Sequence, residues 1–154
     1  MAEGRNPAEE AESGRILAVD LGSRRIGLAV SDPLGITAQP VPTLKAETWE
    51  ADVEAVARIA ADRGAKAIVV GLPLRMNGKA GKEAQRAERF ADALRRQTGL
   101  AVHTWDERLT TVASEKALIE AGHRRKKRRA MIDSTASILI LQGFLDFVRN
   151  KPPS

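Results

Sequence analysis

The segment Ala67-Ile68-Val69-Val70 constrains this chain more than any other. It is short, wholly apolar and lies between two stretches with helical periodicity. A strand with no polar face must be covered on both sides, the condition of an internal parallel strand in a sheet flanked by helices. In the stretch before it, Trp49, Val53, Val56, Ala57 and Ala60 recur at helical spacing over 49–63, and Gly64 ends the run. Gly71-Leu72-Pro73 ends the strand, and Asn77-Gly78 and Gly81 break the loop that follows. A second helix over 83–97 carries Ala87, Phe90, Ala91 and Leu94 on one stripe and stops at Gly99.

The flanking segments extend this βαβ frame. Ile16 to Val19 is an apolar run ending at Asp20, and Ile26 to Val30 is another ending at Ser31-Asp32. With only Gly22-Ser23-Arg24-Arg25 near their junction, the two read as an antiparallel hairpin. A third strand fits near 37–44, where Pro40 and Pro42 confine it to an edge. Leu100 to Thr104 reads as the last strand, with Asp106-Glu107-Arg108 just past its end. Thr110-Thr111 offers caps for a short helix to Ala121, and a final helix is expected from near Asp133, with Ile138, Leu141, Leu145 and Val148 on its apolar face. The order β-β-β-α-β-α-β-α-α predicts an α/β domain: a mixed five-stranded sheet with helices on both faces. One domain over 15–150 is expected, with tails at 1–14 and 151–154. The first carries Glu3, Glu9, Glu10 and Glu12 and reads as a disordered tail rather than a secretory signal.

Composition narrows the chemistry. With no cysteine, thiolate metal sites and cysteine nucleophiles are excluded, and a reducing compartment fits. His103 and His123 are too few for a multi-histidine zinc site. No apolar run approaches the roughly 20 residues that span a bilayer. The net charge of +5, despite an acidic tail, favours a polyanionic partner.

Three acidic positions stand out: Asp20 at the end of the first strand, Asp106-Glu107 beyond the last strand, and Asp133 at the start of the last helix. Ligands of open α/β sheets collect at the carboxyl ends of strands. Converging carboxylates without thiol or imidazole support suit a hard cation, Mg²⁺ or Mn²⁺, and phosphoryl-transfer chemistry that needs no protein nucleophile. Each has a plainer reading: a turn at Asp20, a surface ion pair with Arg108, a helix cap at Asp133. The basic run after His123, formed by Arg124, Arg125, Lys126, Lys127, Arg128 and Arg129, suits phosphate binding, or simply a solvated loop. Gly71 leaves room for a substrate backbone or serves a turn, and Trp105 offers either a base-stacking surface or a core side chain.

Four segments together resemble the YqgF/RuvX family. They are 20–32 (Asp20-Leu21-Gly22-Ser23-Arg24-Arg25-Ile26-Gly27-Leu28-Ala29-Val30-Ser31-Asp32), 68–74 with Asn77-Gly78, Asp106-Glu107-Arg108-Leu109-Thr110-Thr111, and Asp133-Ser134 with Ala136 and 138–142. They occur in order and span about 16–148. The resemblance implies an RNase H-like fold related to Holliday-junction resolvases. It also implies a cytoplasmic nuclease maturing the 5′ end of pre-16S ribosomal RNA. It makes Asp20, Glu107 and Asp133 the catalytic acids and metal ligands, with Asp106 adjacent to the second, and gives Arg25 to phosphate. The expected partners are precursor RNA or branched DNA and the ribosome, with no membrane, for a monomer or homodimer. A resolvase cutting four-way DNA junctions would require a two-fold dimer. A non-catalytic nucleic-acid-binding module would tolerate Asp20→Asn. An ATP phosphotransferase of the actin–sugar kinase type would need a second domain.

Overall fold

The computed structural model describes residues 14–74, 77–109 and 125–150, with the side chains of the last segment described for 136–149. Five strands, β1 (Arg15–Leu21), β2 (Arg25–Ser31), β3 (Ala38–Lys45), β4 (Ala65–Leu72) and β5 (Ala101–Asp106), form one sheet in the order β3-β2-β1-β4-β5. The β1–β2 and β2–β3 pairs are antiparallel, whereas β1–β4 and β4–β5 are parallel. The sheet is therefore mixed, as the order of elements predicts. The two parallel crossovers run through α1 (Trp49–Asp62) and α2 (Lys82–Thr98), and α3 (Arg125–Asn150) closes the described chain. Thr48 caps α1 by accepting from the Ala51 amide at 3.2 Å, and Gly99 ends α2 in the left-handed conformation that a residue with a Cβ resists.

Alternation along the strands sorts the core into two layers. Leu17, Val19, Ile26, Leu28, Ile68 and Val70 pack against Val53 and Val56 of α1 and Phe90 and Leu94 of α2. Ile16, Ala18, Ala29, Ala67 and Val69 pack against Ile138, Leu141, Phe144 and Leu145 of α3. Ala67 to Val70 is thus buried from both sides, which explains its lack of any polar residue. β3, with Pro40 and Pro42, lies at the sheet edge, where missing amide donors cost no ladder bonds.

Two boundaries differ from expectation. β5 runs on to Asp106, which pairs with Leu72, so Asp106 belongs to the strand and only Glu107 to Leu109 form the 3₁₀ turn beyond it. The last helix begins at Arg125 rather than near Asp133. Lysine and arginine are good helix formers, and neither glycine nor proline interrupts 125–142, so the basic segment from Arg125 continues the helix. Asp133 is therefore internal to the helix and is not its N-cap. The expected short helix over 110–121 and both tails beyond 14 and 150 lie outside the described residues.

Candidate active site

Because β1, β4 and β5 are parallel, their carboxyl ends meet at one edge of the sheet. Asp20 follows Ile16 and Ala18 by strand alternation and so takes the α3 face. Gly71 follows Ala67 and Val69 onto the same face, and its partner Trp105 lies there too. Glu107 continues that parity one step beyond β5.

Two glycines make room for this arrangement. Gly27 lies opposite Asp20 in the antiparallel pair. A Cβ there would sit 3.5 Å from the Asp20 Cβ and 3.5 Å from Oγ of the buried Ser137, so Asp20 and α3 border the same point. At Gly71 a Cβ would lie 3.0 Å from Glu107 Oε2 and would overlap the Ile140 Cδ1 methyl outright. Gly71 therefore leaves room for protein groups, Glu107 and Ile140, rather than for the substrate backbone or the turn that its sequence context allows.

The electrostatics separate the two adjacent acids. Asp106 accepts from Arg108 through the Nη2 at 2.7 Å, the Nε at 3.1 Å and the amide at 3.0 Å. Those bonds hold its carboxyl below the ordinary value. Glu107 is pushed up to about 7, first by burial and then by the charges of Asp20 and Asp106. Burial also raises Asp20. Among the described residues neither Asp20 nor Glu107 has a hydrogen-bond or ion-pair partner. Two partly buried carboxylates that repel each other and have no cationic partner among the described residues form a hard-oxygen donor pair, and this chemistry fits a divalent metal ion. Among the described residues no third His, Asp or Glu joins them.

The other expected site residues fall as follows. Arg25 is exposed at the start of β2 and shares the parity of Gly27, on the Asp20 side of the sheet. Arg125, Lys126, Lys127, Arg128 and Arg129 occupy the first turns of α3 and Asp133 lies further along it; their side chains, and Arg124 altogether, lie outside the described residues. Trp105 is 8 % exposed and packs edge-on to Phe144 at 6.0 Å, so it is a core residue and not a base-stacking surface. Gly27 lies inside the first of the resembling segments but has no site role there, and Ser137 falls between the positions of the last. The signal that finds them is strand parity combined with the apolar stripe of α3. No helix among the described residues is long and apolar enough to cross a membrane.

The model of the RuvX family, described as Holliday junction resolvase, matches residues 14–147. A Clostridioides difficile protein named as a pre-16S rRNA nuclease is 44% identical over 137 residues, covering 89% of this chain and 97% of that protein. A Myxococcus xanthus protein of the same name is 44% identical over 139 residues, covering 90% and 91%. Among solved structures, Thermus thermophilus RuvC in complex with Holliday junction substrate superposes with a TM-score of 0.59 at 15% identity, covering 89% of this chain and 96% of that one. The fowlpox virus Holliday junction resolvase gives 0.52 at 16%, covering 88% and 98%. At such identities these likenesses establish the RNase H-like fold alone. With the family model spanning almost all of the described chain and relatives matched along nearly their whole length, this chain belongs to the RuvX family.

Proposed function

We propose that this chain is a divalent-metal-dependent endonuclease that hydrolyses phosphodiester bonds in the cytoplasm, trimming the 5′ side of pre-16S ribosomal RNA. The observation that carries the reading is the pair Asp20 and Glu107: two half-buried acids at one strand edge, mutually repelling and without a cationic partner among the described residues. The substrate rests on the relatives named for pre-16S rRNA.

Asp20, Glu107 and Asp133 would hold Mg²⁺ or Mn²⁺, which when bound supplies an activated water and charge stabilisation for the leaving oxygen. Asp133 enters because Ser137, which borders Gly27 beside Asp20, lies four residues further along the same helix. Residues four apart share a helix face. The remaining work belongs to the chain itself. The parity of β1 and β5 aims both acids to one side of the sheet. Packing of Ile140 against Gly71 fixes where Glu107 can sit. Arg25, exposed on the same side, is available to a phosphate of the scissile strand, and the basic turns of α3 at 125–129 add charge that draws the polyanion in.

The test is cleavage of a pre-16S transcript by the purified protein with Mn²⁺, beside synthetic four-way DNA junctions. Asp20→Asn is expected to abolish cleavage while retaining RNA binding. Retained cleavage overturns the mechanism, and preferential cutting of junctions overturns the substrate.

A further inference from the structure

On the opposite side of the sheet from Asp20, α1 and α2 border a cleft of about 460 Å³ lined by Trp49, Arg86, Arg89, Asp92 and Arg96. The last four recur on α2 at intervals of three, three and four residues, which aligns them in one stripe about 15 Å long. Three of the five lining side chains are cationic. The charge of Asp92 is already met by Arg95 on the same helix. Arg89 and Arg96 have no hydrogen-bond or ion-pair partner among the described residues. Trp49, at the mouth of α1, is held edge-on by Phe90 at 5.3 Å between ring centres, so its indole is oriented before any ligand arrives. Arg86 Nη1 donates to the Gly22 carbonyl at 3.1 Å, which ties the head of the stripe to the β1–β2 turn two residues after Asp20.

We propose that this cleft binds a short unpaired stretch of the strand that flanks the cut, with one base on Trp49 and successive phosphates on Arg86, Arg89 and Arg96. Aromatic stacking beside arginines is how single strands are held without sequence readout. The volume suits one nucleotide of a single strand seated beside Trp49 and excludes a duplex, roughly 20 Å across with its backbone on the outside. The tie through Gly22 puts the head of the stripe beside the turn that follows Asp20, within reach of a strand leaving the acidic pair. The inference deepens the nuclease reading and rests on it for the identity of the strand. Its test is binding to a catalytically silent protein, so a failed cleavage assay leaves it standing.

A labelled single-stranded 12-nucleotide RNA is titrated into Asp20→Asn protein and into Asp20→Asn/Arg89→Ala/Arg96→Ala, by anisotropy, across a salt series. Both arginines are exposed, so the fold is expected to survive their removal, which a matching thermal midpoint checks. Loss of two phosphate contacts on a single strand lowers the salt slope by about 1.4, which is about 25-fold in affinity at 0.1 M salt. The same RNA is expected to quench Trp49, whereas Trp105 is shielded by its burial. Unchanged affinity and slope overturn the proposal. So does equal weakening for a blunt RNA duplex, or a mononucleotide that binds as tightly as the strand.

Discussion

Gly71→Ala tests the geometry of the acidic pair at the point where it is tightest. Gly71 has no need of glycine's backbone freedom, since its φ is not positive. What it lacks room for is a methyl group. The added Cβ would overlap Ile140 Cδ1 by about an ångström and press on Glu107 Oε2 from 3.0 Å, a few tenths inside ordinary contact. Forcing a methyl into a packed core costs about 1–3 kcal/mol. A misplacement of about 1 Å in a reacting constellation costs about 100-fold in rate, so a shift of a few tenths at Glu107 is expected to cost about ten-fold. The two effects separate in Gly71→Ala/Ile140→Val, which deletes the Cδ1 methyl and so relieves the overlap while leaving the new Cβ against Glu107. Denaturant unfolding should show stability falling in Gly71→Ala and partly recovering in the double variant. Mn²⁺-dependent transcript cleavage should stay low in both. Gly27→Ala is the control: its Cβ meets Asp20 and Ser137 at 3.5 Å, an ordinary distance, and cleavage should stay near that of the parent. Full cleavage by folded Gly71→Ala would refute the placement of Glu107 at this edge.

Glu107→Gln is expected to lower cleavage by at least about 100-fold, as loss of a metal-holding group does, whereas Asp106→Asn should cost less than about ten-fold because it breaks a surface pairing with Arg108. Equal losses in the two would show that the adjacent acids share one role. In metal-free protein, Glu107 binds its proton more tightly folded than unfolded, so the stability it contributes is present below its ordinary value of 4.5 and lost as pH rises through about 7. Calorimetric midpoints in EDTA should therefore decline across that window, and Mn²⁺ should flatten the decline; identical profiles with and without Mn²⁺ would contradict the metal fit. Asp32 accepts from the amides of Leu34 at 3.0 Å, Ile36 at 2.7 Å and Thr37 at 2.6 Å, closing the β2–β3 loop. Slight burial opposes ionisation there, but these amides hold the carboxyl below its ordinary value, so its contribution is present above that value and lost on acidification. Asp32→Ala should cost about 1 kcal/mol by thermal unfolding at neutral pH, and less at pH 3.

What was legible in the sequence follows from where local periodicity carries tertiary information. Ala67 to Val70 announces a strand covered on both faces, and that one fact brings the crossover helices and the parallel half of the sheet with it. Alternation at Ile16, Ala18 and Asp20 carries the first acid to the α3 side. The choice between Asp106 and Glu107 was less accessible, because it depends on where β5 ends. With the strand stopped at Thr104, neither acid has a defined face. Extending it to Asp106 assigns the even positions Val102, Thr104 and Asp106 to the α1–α2 side, in register with Leu72. The odd positions Ala101, His103 and Trp105 then face α3, and Glu107 inherits their side. The ladder reaches that far because Leu72 and Asp106 still pair, a long-range contact that composition near residue 106 does not encode. The start of α3 escaped for a related reason: a run of arginines and lysines reads as solvated loop by charge, yet each has high helix propensity. The cleft beside Trp49 could be found only once α1 and α2 were set side by side, since Trp49 and Arg86 are 37 residues apart and no short motif joins them.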